Sequence, residues 1–200
     1  MYIAVVGNIG AGKTTLTNML AKHYGWEPKF ESVNDNPYLD DFYSDMKRWS
    51  FDLQIYFMNR RIHDILNIVK SENVIIQDRC AFEDRYIFAP TLHEQGNMSD
   101  RDFETYTDLF DMMIKLVPQP DIIIYIQSSI GNLVNQIEKR NRGCESTMSI
   151  DYLSNLNNKY NDWIEHYQGN VIVINGDECK FENREEDFKS VINKIDEAIK

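Results

Sequence analysis

The stretch Tyr2-Ile3-Ala4-Val5-Val6-Gly7-Asn8-Ile9-Gly10-Ala11-Gly12-Lys13-Thr14 decides the fold. Five residues without a charge form an apolar run and lead into Gly-x4-Gly-Lys-Ser/Thr, matched at every fixed position. Glycines in such a turn let backbone N–H groups face inward around an anion, in conformations that side chains resist. Lys13 is placed to reach terminal phosphates, and the Thr14 hydroxyl to hold Mg²⁺. A helix opening at Lys13, with Leu16, Leu20 and Ala21 on its apolar face, adds a positive dipole end to the same site. The whole loop from Gly7 through Asn8, Ile9, Gly10, Ala11, Gly12, Lys13 and Thr14 to Thr15 is therefore a candidate nucleotide phosphate cradle.

Outward from this loop, short apolar runs alternate with longer amphipathic ones. The pattern predicts strands over Tyr2–Val6, Lys29–Val33, Val74–Gln77, Ile122–Ile126 and Val171–Ile174. It predicts helices over Lys13–Tyr24, about Trp49–Lys70, about Ser99–Leu116, Ile130–Arg142, about Ile150–Tyr167 and Glu185–Ile199. The runs at 74–76 and 122–126 lack alternation, as strands covered on both faces do. Repeated βα units imply right-handed crossovers. The expected fold class is α/β: a P-loop NTPase-type doubly wound sheet of five parallel strands, helices on both faces, and a basic lid. With no repeat or linker, residues 1–200 read as one domain.

A net charge of −11 argues against a general binder of nucleic-acid polymers or membrane surfaces, and no apolar run is long enough for a membrane span. Cys80, Cys144 and Cys179 follow no metal-ligand spacing, which favours reduced thiols in a cytoplasmic protein.

In doubly wound sheets ligands bind beyond the carboxyl ends of the strands. Asp78 and Arg79 follow the third strand, where an acid orders Mg²⁺ opposite the loop hydroxyl and an arginine neutralises a transferring phosphoryl group. Glu31 ends the expected second strand; a carboxylate beside triphosphate needs a task, and general-base removal of a hydroxyl proton is one. On the helix 49–70, Gln54, Phe57, Met58 and Arg61 share a face. Asp84 is a candidate partner for a buried Arg61. The basic stretch Lys139-Arg140-Asn141-Arg142 suits either a helix C-terminus or a lid closing over phosphates. Asn193-Lys194-Ile195-Asp196 matches a guanine-reading motif but falls inside the final amphipathic helix, so the match is chance.

Together these residues resemble the deoxyribonucleoside kinase family, the group of deoxycytidine, deoxyguanosine and deoxyadenosine kinases. The resemblance runs from Tyr2 to about Trp163. Asp78-Arg79-Cys80 is similar to the family's Glu/Asp-Arg-Ser, with Cys80 replacing the serine. Arg48-Trp49-Ser50-Phe51-Asp52-Leu53-Gln54 is similar to Arg-Trp-Ser-Phe-x-x-Gln, and Asp84-Arg85-Tyr86-Ile87-Phe88-Ala89 resembles deoxycytidine kinase. By this resemblance the catalytic residues are Glu31 as base, Arg79 and Lys13. The nucleoside is held by Glu31, Tyr43, Gln54, Phe57, Arg61, Arg79, Asp84 and Glu145, and Arg140 and Arg142 join the loop on ATP. Thr14 and Asp78 are the metal residues, and Gln136 stands where the family often has arginine. The resemblance implies a homodimer, with ATP and Mg²⁺ serving phosphorylation of a small-molecule deoxynucleoside in nucleotide salvage.

An ionised Asp84 suits an exocyclic amino group rather than a carbonyl. Adenine N6 and cytosine N4 are such groups; with the resemblance, purine is favoured, deoxyadenosine first, then deoxyguanosine or deoxycytidine. The stretch Asn34-Asp35-Asn36-Pro37-Tyr38-Leu39 likewise resembles the bacterial deoxyadenosine kinase branch. One alternative is a nucleoside monophosphate kinase resembling thymidylate kinase, although Glu31 would repel an acceptor phosphate. Another is a nucleotide-binding module without turnover.

Overall fold

The computed structural model describes residues 1–30, 35–68, 71–141 and 148–200. Its centre is a sheet of five parallel strands in the order β2-β3-β1-β4-β5. The strands are β1 (Tyr2–Val6), β2 (Glu27–Lys29), β3 (Ile75–Asp78), β4 (Ile122–Gln127) and β5 (Asn170–Asn175). The three inner strands are buried along nearly their whole length. That is why their sequences are continuous Val/Ile runs rather than alternations. Edge strand β5 does alternate, burying Ile172 and Ile174 while Val173 faces outward.

The helices are α1 (Lys13–Tyr24), α2 (Leu39–Ser44), α3 (Met46–Ile68), α4 (Ala81–Glu83), α5 (Ala89–Glu94), α6 (Asp100–Met113), α7 (Ile130–Arg140), α8 (Ile150–His166) and α9 (Glu185–Ala198). A π-helical turn over Asp84–Phe88 joins α4 to α5, and a 3₁₀ turn over Ile114–Leu116 extends α6. Serines 99, 129 and 149 cap α6, α7 and α8, each accepting a hydrogen bond from the backbone N–H three residues on.

The second strand is displaced from its expected place. It spans Glu27–Lys29, in register with Ile75–Gln77 of β3, not Lys29–Val33. As an edge strand it is only half-buried, so it lacks the apolar run that marks the inner strands. Residues 31–34 lie outside the described set.

Sheet order explains where a ligand goes. Chain crossovers leave β1 toward β3 and β2 on one side, and toward β4 and β5 on the other. The loop after β1 therefore opens at the point where winding reverses. Among the described residues no helix is long and apolar enough to cross a membrane. The motif look-alike at 193–196 lies in α9, with Ile195 buried, Lys194 Nζ donating to the Val173 carbonyl and Asp196 accepting from Tyr24.

Candidate active site

Gly7, Gly10 and Gly12 take positive φ values of 150°, 85° and 91°. The loop is also pressed against its surroundings. A Cβ on Gly7 would meet the Ile126 carbonyl oxygen at 2.8 Å, and one on Gly10 the Leu133 carbonyl oxygen at 2.8 Å. Gly12, at the N-cap of α1, has no side chain to cap the helix, and a helix N-terminus of this kind suits an anion. Lys13 Nζ folds onto the Gly7 and Asn8 carbonyls at 2.8 and 3.0 Å.

Thr14 Oγ1 donates to Asp78 Oδ2 at 2.5 Å. This joins the first turn of α1 to the end of β3 and puts two hard oxygen donors side by side, the donor type that Mg²⁺ selects. Arg79, the next residue, has φ of 69°, sparsely populated for a side chain with a Cβ. Its N–H donates to the Val5 carbonyl at 2.9 Å, and its guanidinium lies 4.4 Å from the Phe88 ring centroid.

These groups border a cavity of about 400 Å³. Ile9, Gly10, Lys13, Thr14, Asp78, Arg79 and Arg140 line it, and so do Tyr43, Gln54, Phe57, Arg61, Asp84 and Phe88. Arg61 Nε lies 3.0 Å from Asp84 Oδ2, and the Arg61 guanidinium 4.9 Å from the Phe57 ring centroid. Gln54 is buried, and its Oε1 has no hydrogen-bond partner among the described residues. A buried acceptor in that condition is expected where a ligand donor belongs. Leu39, Phe42, Leu53 and Tyr152 supply apolar wall.

The π turn shapes this wall. Asp84 and Phe88, four residues apart in this turn, both line the cavity, while Ile87 between them packs into the core.

Not every expected loop residue faces the cavity. Asn8 turns its amide toward α8, donating to the Leu153 carbonyl at 2.9 Å and to Asn157 at 3.2 Å. Gly7, Ala11, Gly12 and Thr15 are not among the residues that line it either. Glu31, Arg142 and Glu145 lie outside the described residues.

Sequence reasoning passed over Glu83. It is completely buried, at 0% exposure. Its Oε1 accepts from Tyr160 OH at 2.6 Å and from Gly7 N–H at 3.4 Å, and its Oε2 from Cys80 N–H at 2.7 Å. Burial raises its pKa, against the lowering influence of Arg79 and Lys13. The Cys80-x-x-Glu83 spacing of a capping box was the available signal, hidden by a cysteine in the place of serine or threonine.

The family model for deoxynucleoside kinases matches residues 3–200. The chain belongs to the deoxynucleoside kinase family. Within the family it is 36% identical over 200 residues to the deoxyadenosine/deoxycytidine kinase of Bacillus subtilis, covering 98% of this chain and 92% of that one. It is 40% identical over 173 residues to the deoxyadenosine kinase of Dictyostelium discoideum, covering 86% and 70%. The fold superposes on the deoxyadenosine kinase from M. mycoides with bound dATP at a TM-score of 0.87, with 29% identity over 98% of this chain and 99% of that one.

Proposed function

We propose that this deoxynucleoside kinase transfers the γ-phosphoryl group of ATP to the 5′-hydroxyl of a deoxynucleoside, with purines favoured: deoxyadenosine first, then deoxyguanosine or deoxycytidine. The single observation that carries the reading is one cavity lined both by phosphate-loop residues and by a set of aromatic and polar side chains. Lys13, Thr14, Asp78 and Arg79 line it together with Gln54, Arg61, Asp84, Phe57 and Phe88. A phosphate cradle and an aromatic slot with a few directed polar groups in one enclosure suit a donor nucleotide and a neutral base together.

Each residue then has a task. Lys13 and the open N–H groups of α1 hold the donor phosphates, with Arg140, and with Arg142 from the same basic stretch, adding charge over them. Thr14 and Asp78 hold Mg²⁺, which when bound neutralises charge between the donor's terminal phosphates. Arg79 faces the transferring group, its strained backbone conformation fixing the guanidinium before substrate arrives. Phe57 and Phe88 flank the base. Gln54 accepts from and donates to its edge, and Asp84, oriented by Arg61, accepts from an exocyclic amino group. Tyr43 and Glu145 contact the sugar, and Glu31 takes the 5′-hydroxyl proton. Such transfer depends mainly on positioning and charge stabilisation.

The same reading takes the 200 residues as one kinase domain, working as a cytoplasmic homodimer in nucleotide salvage. The relatives' names support the choice of nucleoside: a B. subtilis deoxyadenosine/deoxycytidine kinase and a D. discoideum deoxyadenosine kinase align along most of this chain. ADP formation from ATP–Mg²⁺ tests the proposal. Release that depends on an added deoxynucleoside is expected. Release driven instead by a nucleoside monophosphate, or none with any nucleoside, would overturn it.

A further inference from the structure

Glu83 has a position that helix capping alone does not account for. A capping-box glutamate at the third helical position ordinarily stands at the surface and answers only the N-cap N–H. Here the N-cap bond to Cys80 is made at 2.7 Å, yet the carboxyl group is wholly removed from water. Burying a carboxyl is costly unless its oxygens are well matched. Three donors from three parts of the chain match them: Gly7 in the phosphate loop, Cys80 in the turn after β3, and Tyr160 in α8.

Those parts are the ones the phosphoryl-transfer chemistry has to hold in register. Gly7 opens the loop that ends in Lys13 and Thr14, and Cys80 directly follows Asp78-Arg79. Tyr160 lies one helical turn beyond Asn157, which itself receives the Asn8 amide of the same loop. Lys13 and Arg79, both buried, are the two cations whose charge acts on Glu83. A shift of about 1 Å between cradle and arginine is enough to cost on the order of 10²-fold in rate.

We infer that Glu83, seconded by Tyr160, is a positioning residue for phosphoryl transfer, locking the phosphate loop to the Asp78-Arg79 turn and to α8. The inference rests on the phosphotransfer reading above. It touches no substrate; it acts through Gly7, Cys80 and the residues they carry. An amide cannot replace it, because Gln offers one acceptor oxygen, and its NH₂ would confront a backbone N–H.

Steady-state kinetics of Glu83→Gln and Tyr160→Phe, each with thermal unfolding, test it. Expected for Glu83→Gln is a fall in kcat on the order of 10²-fold, with the KM for ATP and for deoxyadenosine within about threefold and a cooperative melt. Expected for Tyr160→Phe is a fall of about threefold to tenfold with the same split. Wild-type kcat in both variants, or losses confined to KM, would overturn the assignment. If Glu83→Gln does not fold, Tyr160→Phe decides alone on the same criterion. An unmutated protein that releases no ADP would reject the phosphotransfer reading and this inference with it. Turnover in that protein with unaffected variants would reject the Glu83 role only.

Discussion

Arg61 Nε stands 3.0 Å from Asp84 Oδ2, with side-chain exposures of 5% and 1%. Two charges so far from water hold each other in place, and removing one strands the other. The pair also borders the aromatic slot, so its geometry becomes a statement about the base.

Asp84→Asn should therefore act on selectivity and on stability together. The amide keeps the shape but presents a donor where the carboxylate accepted. The kcat/KM for deoxyadenosine should fall on the order of 10²-fold, and unfolding free energy by about 3 kcal/mol. Kinetics with deoxyadenosine and with thymidine, whose ratio of kcat/KM gives the selectivity, and denaturant unfolding check it. Unchanged selectivity would remove Asp84 from base recognition.

The metal assignment predicts a different pattern for Thr14. Replacing it with Ala leaves Asp78 without its neighbouring hydroxyl, so the Mg²⁺ concentration for half-maximal rate should rise on the order of 10-fold while deoxynucleoside KM is little changed. A magnesium titration of the variant measures this directly. Chelation of divalent ions should stop turnover in the unmutated protein.

Gly10→Ala tests the loop's packing rather than its chemistry. The new methyl carbon would sit 2.8 Å from the Leu133 carbonyl oxygen and 2.9 Å from Ile137 Cγ1, at a φ of +85°. Loss of roughly 1–3 kcal/mol of stability is expected from the backbone conformation alone. Thermal and denaturant melts measure it.

Legibility in the sequence followed burial. The inner strands announced themselves because Tyr2–Val6 and Ile122–Ile126 are covered on both faces, and the loop between β1 and α1 carries fixed residue types. The half-buried edge strand β2 offers no such run, and the sequence pattern points to Lys29 rather than Glu27 as its start. The segment 81–94 was read for Asp84 but not as helix. Pro90 interrupts it, although that proline falls in the first turn of α5, where a missing N–H costs nothing. The six residues of α2 are too few for periodicity to show. The Arg61–Asp84 pair was a candidate from helical spacing, and the structure brings it together. Glu83 is hidden because two of its three donors, Gly7 and Tyr160, lie 76 and 77 residues from it in the chain.

The most direct measurement is a competition in one tube: ATP–Mg²⁺ with equimolar deoxyadenosine, deoxyguanosine, deoxycytidine and thymidine, the products resolved by chromatography and mass. Deoxyadenosine 5′-monophosphate should accumulate first, with thymidine left behind. Thymidine 5′-monophosphate as the leading product, or no monophosphate at all, would contradict the account.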